Sequence, residues 1–210
     1  NVKAHYQEVA RQGLPILFYH FPDCTHLALT PNQVAEICMM EGIAGMKASI
    51  LNLKDMRAFK RKITKPSFSM FTGVTYLFKP ALEMGASGLI CPISAIFPEA
   101  AVGFYEARRQ GDAAAARAHE TTLWRTLPLM SSSDAPWQAL SLGLQVVSRT
   151  GLPVPARGGD SPAVFKEVLR LRGLPIRPLV RRPLRGLSGA EARRAKRTWE
   201  DLRKSGTFSQ

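Results

Sequence analysis

A chain of 210 residues, 45% of them hydrophobic and with no apolar run of 18, has the composition of one folded core and excludes both a disordered chain and a helical membrane span. Its net charge of +13 is uneven, because residues 151–210 hold 14 Lys and Arg against 5 Asp and Glu while the first 150 hold 15 against 11. Three cysteines, Cys24, Cys38 and Cys91, are odd in number and lack CxxC spacing, which argues against a disulfide framework and a zinc site and fits a reducing, cytoplasmic setting.

In chain order, strand-like and helix-like segments alternate. Residues 2–12 read as the end of a helix capped by Gly13. Pro15 to Phe21 is a hydrophobic strand stopped by Pro22 and Asp23. Thr30 then opens a helix to about Met40, with Pro31 at its first position and Gln33 completing a capping box. Gly42 to Ser49 is short, small and apolar, as in a strand buried on both faces. A basic amphipathic helix follows from Asn52 or Leu53 to about Ile63, with Leu53, Met56, Phe59 and Ile63 as its stripe. Phe68–Gly73 is a third strand, Tyr76–Met84 a helix ended by Gly85, and Ser87–Cys91 a fourth strand. A long helix runs from Phe97 and Pro98 to about Gln110, and an alanine-rich one from the Gly111–Asp112 break to about Leu127.

Four strands, each followed by a helix at a spacing of about 20 to 28 residues, describe a right-handed parallel βα repeat. Such a repeat forms an open doubly wound sheet or a (β/α)8 barrel, and no glycine-rich dinucleotide fingerprint follows any strand to favour the first.

One residue stands out against this pattern. Lys47 is a lone charge near the end of the second strand, sharing a face with Ile43 and Gly45. Burying an ammonium is costly and favours the neutral, nucleophilic amine, whereas at a strand end the same side chain can snorkel to water. In the preceding strand Leu17 and Tyr19 share one face and Phe18 and His20 the other, so Tyr19 and Lys47 can point the same way from neighbouring strand ends. A phenol beside an amine there is a proton-transfer pair, although Tyr19 alone also reads as an ordinary core tyrosine.

These motifs resemble a known family. Tyr19-His20-Phe21-Pro22, followed 28 positions later by the lysine of Gly45-Met46-Lys47, is similar to the signatures of the dihydrodipicolinate synthase and N-acetylneuraminate lyase family. The resemblance continues through Phe71-Thr72-Gly73, through Ala81 to Cys91 and on to Pro98, and reappears in Phe165 to Pro175 and Pro183 to Ser188.

The resemblance implies a (β/α)8 TIM barrel of which strands 5 to 8 are present, followed by a helical extension. Residues 1–127 would be the C-terminal half of the barrel, 128–205 the extension and 206–210 a disordered tail. Strands 1 to 4, with the segment that holds the substrate carboxylate and a threonine proton relay, would lie upstream of Asn1. The chain therefore reads as an incomplete, inactive fragment that binds pyruvate poorly and lacks about 90 or more residues of a barrel of roughly 250.

The implied activity is that of a class I aldolase or lyase, with no cofactor and no metal. Lys47 would form a Schiff base with pyruvate or a related 2-oxo acid, and Tyr19 would shuttle protons while a carbon–carbon bond to an aldehyde is made or broken. Gly73 and Ile90 match positions that line the pyruvate pocket, and also read as ordinary barrel packing. The implied assembly is a homodimer or homotetramer in the cytoplasm.

Departures narrow the substrate. Where the synthases carry an arginine two positions after the proline, this chain has Cys24, which offers a weak donor in place of a carboxylate clamp. The expectation is an N-acetylneuraminate lyase-like or sugar-acid aldolase-like enzyme. The alternatives are a true 4-hydroxy-tetrahydrodipicolinate synthase of lysine biosynthesis or a non-catalytic barrel relative. His26 stands where many members have glycine, and His20 is expected in the helix layer.

Past the barrel, Ser131–Asp134 and Arg157–Asp160 read as loops around a middle helix, and Glu191–Lys204 as an exposed charged helix. Arg177, Arg181, Arg182 and Arg185 lie in a proline-interrupted segment with no aromatics to stack on bases. A solvated or subunit-facing surface is preferred there over nucleic acid, and no membrane partner is expected.

Overall fold

A computed structural model describes residues 2–130, 137–150 and 162–205. Its contacts divide the chain into two compact units, Asn1–Cys91 with Val147–Pro153 and Pro92–Val146 with Val154–Gln210. Among the described residues no helix is long and apolar enough to cross a membrane.

The first unit is built on a four-stranded parallel sheet in the order β1 (Ile16–His20), β2 (Ile43–Ala48), β3 (Ser69–Thr72) and β4 (Gly88–Leu89). Helices α1 (Val2–Ala10), α2 (Pro22–Thr25), α3 (Pro31–Cys38), α4 (Leu53–Lys62) and α5 (Phe78–Glu83) precede or connect the strands. Parallel neighbours need such crossovers, because no tight turn can return the chain to the same end of the sheet.

Local chemistry places these elements. Thr30 and Gln33 make the expected capping box at the start of α3, with the Gln33 N–H donating to Thr30 Oγ1 and the Thr30 N–H donating to Gln33 Oε1. Asn52 Oδ1 accepts from the N–H groups of Lys54 and Asp55 at the start of α4, a cap of about 1 kcal/mol. Gly13 and Gly85 stand where the chain leaves α1 and α5, at φ +74° and +82°, a region closed to most side chains.

Three expectations need correction. The segment at Pro22 is a short helix and not merely a stop, with Pro22 at its first position, where a missing N–H costs nothing. Residues 75–77 form a 3-10 turn before α5, because Pro80 has no N–H to donate to Tyr76. The fourth strand spans only Gly88–Leu89, cut short by Pro92, which opens the unexpected helix α6 (Pro92–Ile96).

The core of this unit lies between the sheet and its helices. Phe18, Met46, Ala48 and Met70 pack there against Val34, Ile37, Cys38, Met56 and Phe59, all buried. Each fully buried Val, Ile, Met or Phe among them contributes about 1.5–3 kcal/mol. Cys38 Sγ lies 3.9 Å from Met46 Sδ, and burial pushes its thiol up to about 12, so this cysteine is packing material. All three cysteines are free thiols.

The second unit is helical: α6, α7 (Pro98–Gln110), α8 (Ala113–Arg125), α9 (Leu127–Met130), the middle helix α10 (Trp137–Thr150, shared between the two units), α11 (Pro162–Leu171) and α12 (Gly189–Lys204). The loops expected at Ser131–Asp134 and Arg157–Asp160 and the tail at 206–210 lie outside the described residues.

Arg172, just past α11, ties helix ends together in this unit. It donates to the Ile96 carbonyl, pairs with Glu99 at 2.5 Å, and its guanidinium lies 5.3 Å from the Phe97 ring and 5.8 Å from the Trp199 ring. At the start of α12, Arg185 grips Glu191 at 2.7 and 2.8 Å. That hydrogen bond holds the Glu191 carboxyl down at about 2, with help from the Ser188 N–H and hydroxyl and against the effect of burial.

Candidate active site

The face of the sheet turned away from its helices carries Leu17, Tyr19 and Lys47. Alternation gives Phe18 and His20 to the helix side of β1 and leaves Leu17 and Tyr19 on the other, 48% and 43% exposed. The register sets Tyr19 beside Lys47, and Lys47 beside Phe71. Beyond the strand ends the ladder continues by one residue. Ser49 N–H donates to the His20 carbonyl at 2.9 Å, Gly73 N–H to Ala48 at 2.7 Å and Ile90 N–H to Thr72 at 3.0 Å.

Tyr19, Lys47, Gly73 and Ile90 therefore all stand at the carboxyl ends of parallel strands, where loops leave room for a ligand. Lys47 is half-buried and its Nζ lies 4.1 Å from the Tyr19 ring centroid, so the amine rests on the phenol face and not in a purely apolar pocket. The Tyr19 ring also stacks on Phe21 at 5.5 Å. A methyl group at Gly73 would overlap Ser49 Oγ and come within 3.0 Å of Lys47 Cε. Only the bare backbone leaves the lysine its path. Ile90, 39% exposed, follows β4, with β3 between it and the strand of Lys47.

Other polar residues separate from this group. His20 is buried against Phe18 and Phe59, and burial lowers its pKa, partly offset by Asp55; it belongs to the helix layer, as expected. Cys24 and His26 are exposed at α2. His26 has φ +53°, the left-handed region, which gives a physical reason for a glycine at such a position. Among the described residues no three His, Cys, Asp or Glu side chains come together to hold a metal.

Ser49 is the residue that sequence reasoning missed. Its Oγ donates to Tyr19 Oη at 3.3 Å. The signal was available in the period of two, since Ser49 follows Lys47 by two positions at the strand exit.

The model of the dihydrodipicolinate synthetase family matches residues 1–158, a stretch that contains all of these residues. The chain belongs to that family. Over 159 residues this family member is 34% identical to YjhH of Escherichia coli, a probable 2-dehydro-3-deoxy-D-pentonate aldolase, an alignment that takes in 73% of this chain and 52% of that protein. YagE, a prophage protein of the dihydrodipicolinic acid synthase family from E. coli K12 solved in complex with pyruvate, superposes with a TM-score of 0.74 at 24% identity, over 96% of this chain and 60% of that one. A catalytic lysine mutant of the Ruminococcus gnavus sialic acid aldolase gives 0.72 at 20% identity, over 97% and 60%. These structural likenesses establish for the family member an α/β fold with a parallel sheet. The chain spans about half the length of the curated relatives it matches.

Proposed function

We propose that this member of the dihydrodipicolinate synthetase family contributes the catalytic half of a Schiff-base lyase acting on pyruvate or a related 2-oxo acid. The observation that carries the reading is the Lys47 amine resting 4.1 Å from the Tyr19 ring at the carboxyl end of a parallel sheet. Support comes from two relatives named as aldolases, one of them described by its catalytic lysine, and from a structure of the dihydrodipicolinic acid synthase family solved with pyruvate.

In this reading the neutral Lys47 amine adds to the ketone carbon, one of its protons passes to the carbonyl oxygen, and a second proton, from Tyr19, lets that oxygen leave as water. A protonated imine and a Tyr19 phenolate remain. In the cleavage direction the phenolate takes the proton of the substrate hydroxyl as the carbon–carbon bond breaks, the electron pair passes into the protonated imine to give an enamine, and an aldehyde departs. Gly73 and Ile90 line the 2-oxo acid pocket from the next two strands. Cys24 stands exposed where the synthases' arginine is expected, which favours a sugar-acid or sialate-type aldehyde over dihydrodipicolinate synthesis.

Residues 1–127 supply strands 5 to 8 of a (β/α)8 barrel and residues 128–205 a helical extension. The protein acts in the cytoplasm as a dimer or tetramer, for which exposed Val102, Leu142 and Leu179 offer apolar surface.

The test is protein mass after pyruvate and borohydride, applied both to this chain and to the full reading frame that encodes it, beside Lys47→Ala. A pyruvate-sized increase on the wild type alone is expected. A folded full-length protein that gains no mass overturns the reading.

A further inference from the structure

The strand exit beside Lys47 and Tyr19 holds a second hydroxyl, that of Ser49, with no role in the reaction as described so far. We infer that Ser49 is a positioning residue for Tyr19: its hydroxyl holds the phenol oxygen and so fixes where the Tyr19 proton is delivered. The inference rests on the Schiff-base reading for its chemical meaning, but its geometry stands without it.

Three observations converge. Ser49 Oγ donates to Tyr19 Oη at 3.3 Å, so the phenol accepts at its oxygen and keeps its own proton for another acceptor. The backbone around Ser49 is pinned on both sides, by its own N–H to the His20 carbonyl at 2.9 Å and by the Gly73 N–H to the Ala48 carbonyl at 2.7 Å. The hydroxyl itself fills the space that a side chain at Gly73 would take, since a methyl there would overlap Ser49 Oγ. The glycine is thus needed by the serine as well as by the lysine.

Tyr19 needs such an anchor. Its other contacts, stacking on Phe21 and the Lys47 amine over the ring, act on the ring face and not at the oxygen. The Ser49 hydrogen bond acts at the oxygen, the atom that must transfer the proton. Displacing a reacting group by about 1 Å can cost a hundredfold in rate.

The experiment uses 3-fluorotyrosine-labelled protein, with the Tyr19 resonance assigned by Tyr19→Phe, and the rate of Lys47 trapping by pyruvate and borohydride. Ser49→Ala is expected to shift the Tyr19 fluorine resonance and to slow trapping at saturating pyruvate by about tenfold to a hundredfold. The half-saturating pyruvate concentration should change less than twofold, and Ser49→Thr, which keeps the hydroxyl, should restore both signals. A Tyr19 resonance unmoved by Ser49→Ala overturns the inference whatever trapping shows. So does a moved resonance with an unchanged trapping rate, or an effect confined to half-saturation. Trapping is read on the folded full-length protein; its failure to be trapped at all overturns the Schiff-base reading instead, and the resonance alone then decides whether Ser49 fixes Tyr19.

Discussion

The two faces of one four-stranded sheet have been given different work. On the helix side, Phe18, His20, Met46, Ala48, Met70 and Thr72 are all buried to 6% exposure or less. On the other side, the same strands present Leu17, Tyr19 and Lys47 half-exposed, with Gly45 and Gly73 as gaps that neighbouring side chains fill. Alternation along a strand makes this division possible, because adjacent residues can answer to stability and to chemistry separately. Met46 and Lys47 are consecutive, yet one is core and the other is the proposed nucleophile.

The largest effect expected on this contrast is Lys47→Ala. Covalent trapping should vanish while chemical denaturation shows a stability change of less than about 1 kcal/mol, since the side chain sits outside the packed core. Its neighbour should behave in the opposite way. Met46→Ala, at a fully buried position, should lower the unfolding free energy by about 2–5 kcal/mol and leave trapping intact in the folded fraction. If both variants lost stability equally, the division of faces would be wrong.

Gly73→Ala tests the reactive face from the neighbouring strand. The added methyl must push Ser49 or Lys47 aside, and trapping should slow by about a hundredfold with the fold retained, as read by circular dichroism. Acid tests the helix face. The His20 pKa is lowered by burial, so the unfolded chain takes up a proton more readily than the folded one. Stability from His20 is then fully present above its ordinary value of 6.5 and is lost as pH falls from there towards the folded value. Urea titrations from pH 8 to 5 should show that loss, and His20→Phe should flatten it. The smallest effect is at the rim, where His26→Gly relieves a left-handed backbone and should raise the unfolding free energy by about 1 kcal/mol, without changing the trapping rate.

Much of this division was legible in the sequence, and for a local reason. The capping box of Thr30 and Gln33 and the strand alternation that puts Tyr19 and Lys47 on one face depend only on residues within a few positions. What the sequence concealed were short elements, the helices that begin at Pro22 and Pro92 and the two-residue fourth strand. Over so few residues intrinsic propensity is too weak to decide the outcome.

By itself, the sequence determined the order of the four strands and the longer helices, the strand face on which Tyr19 and Lys47 lie and, through its motifs, the family. The tertiary structure alone decided that Ser49 reaches Tyr19 across a separation of 30 residues and that Gly73 leaves room for both Ser49 and Lys47. It also decided that Arg172 binds Glu99 and the Ile96 carbonyl from 73 and 76 residues away. The physical reason is that periodicity fixes the direction of a side chain within its own element, whereas hydrogen bonds of 2.5 to 3.3 Å depend on the strand register and helix packing that bring distant elements together.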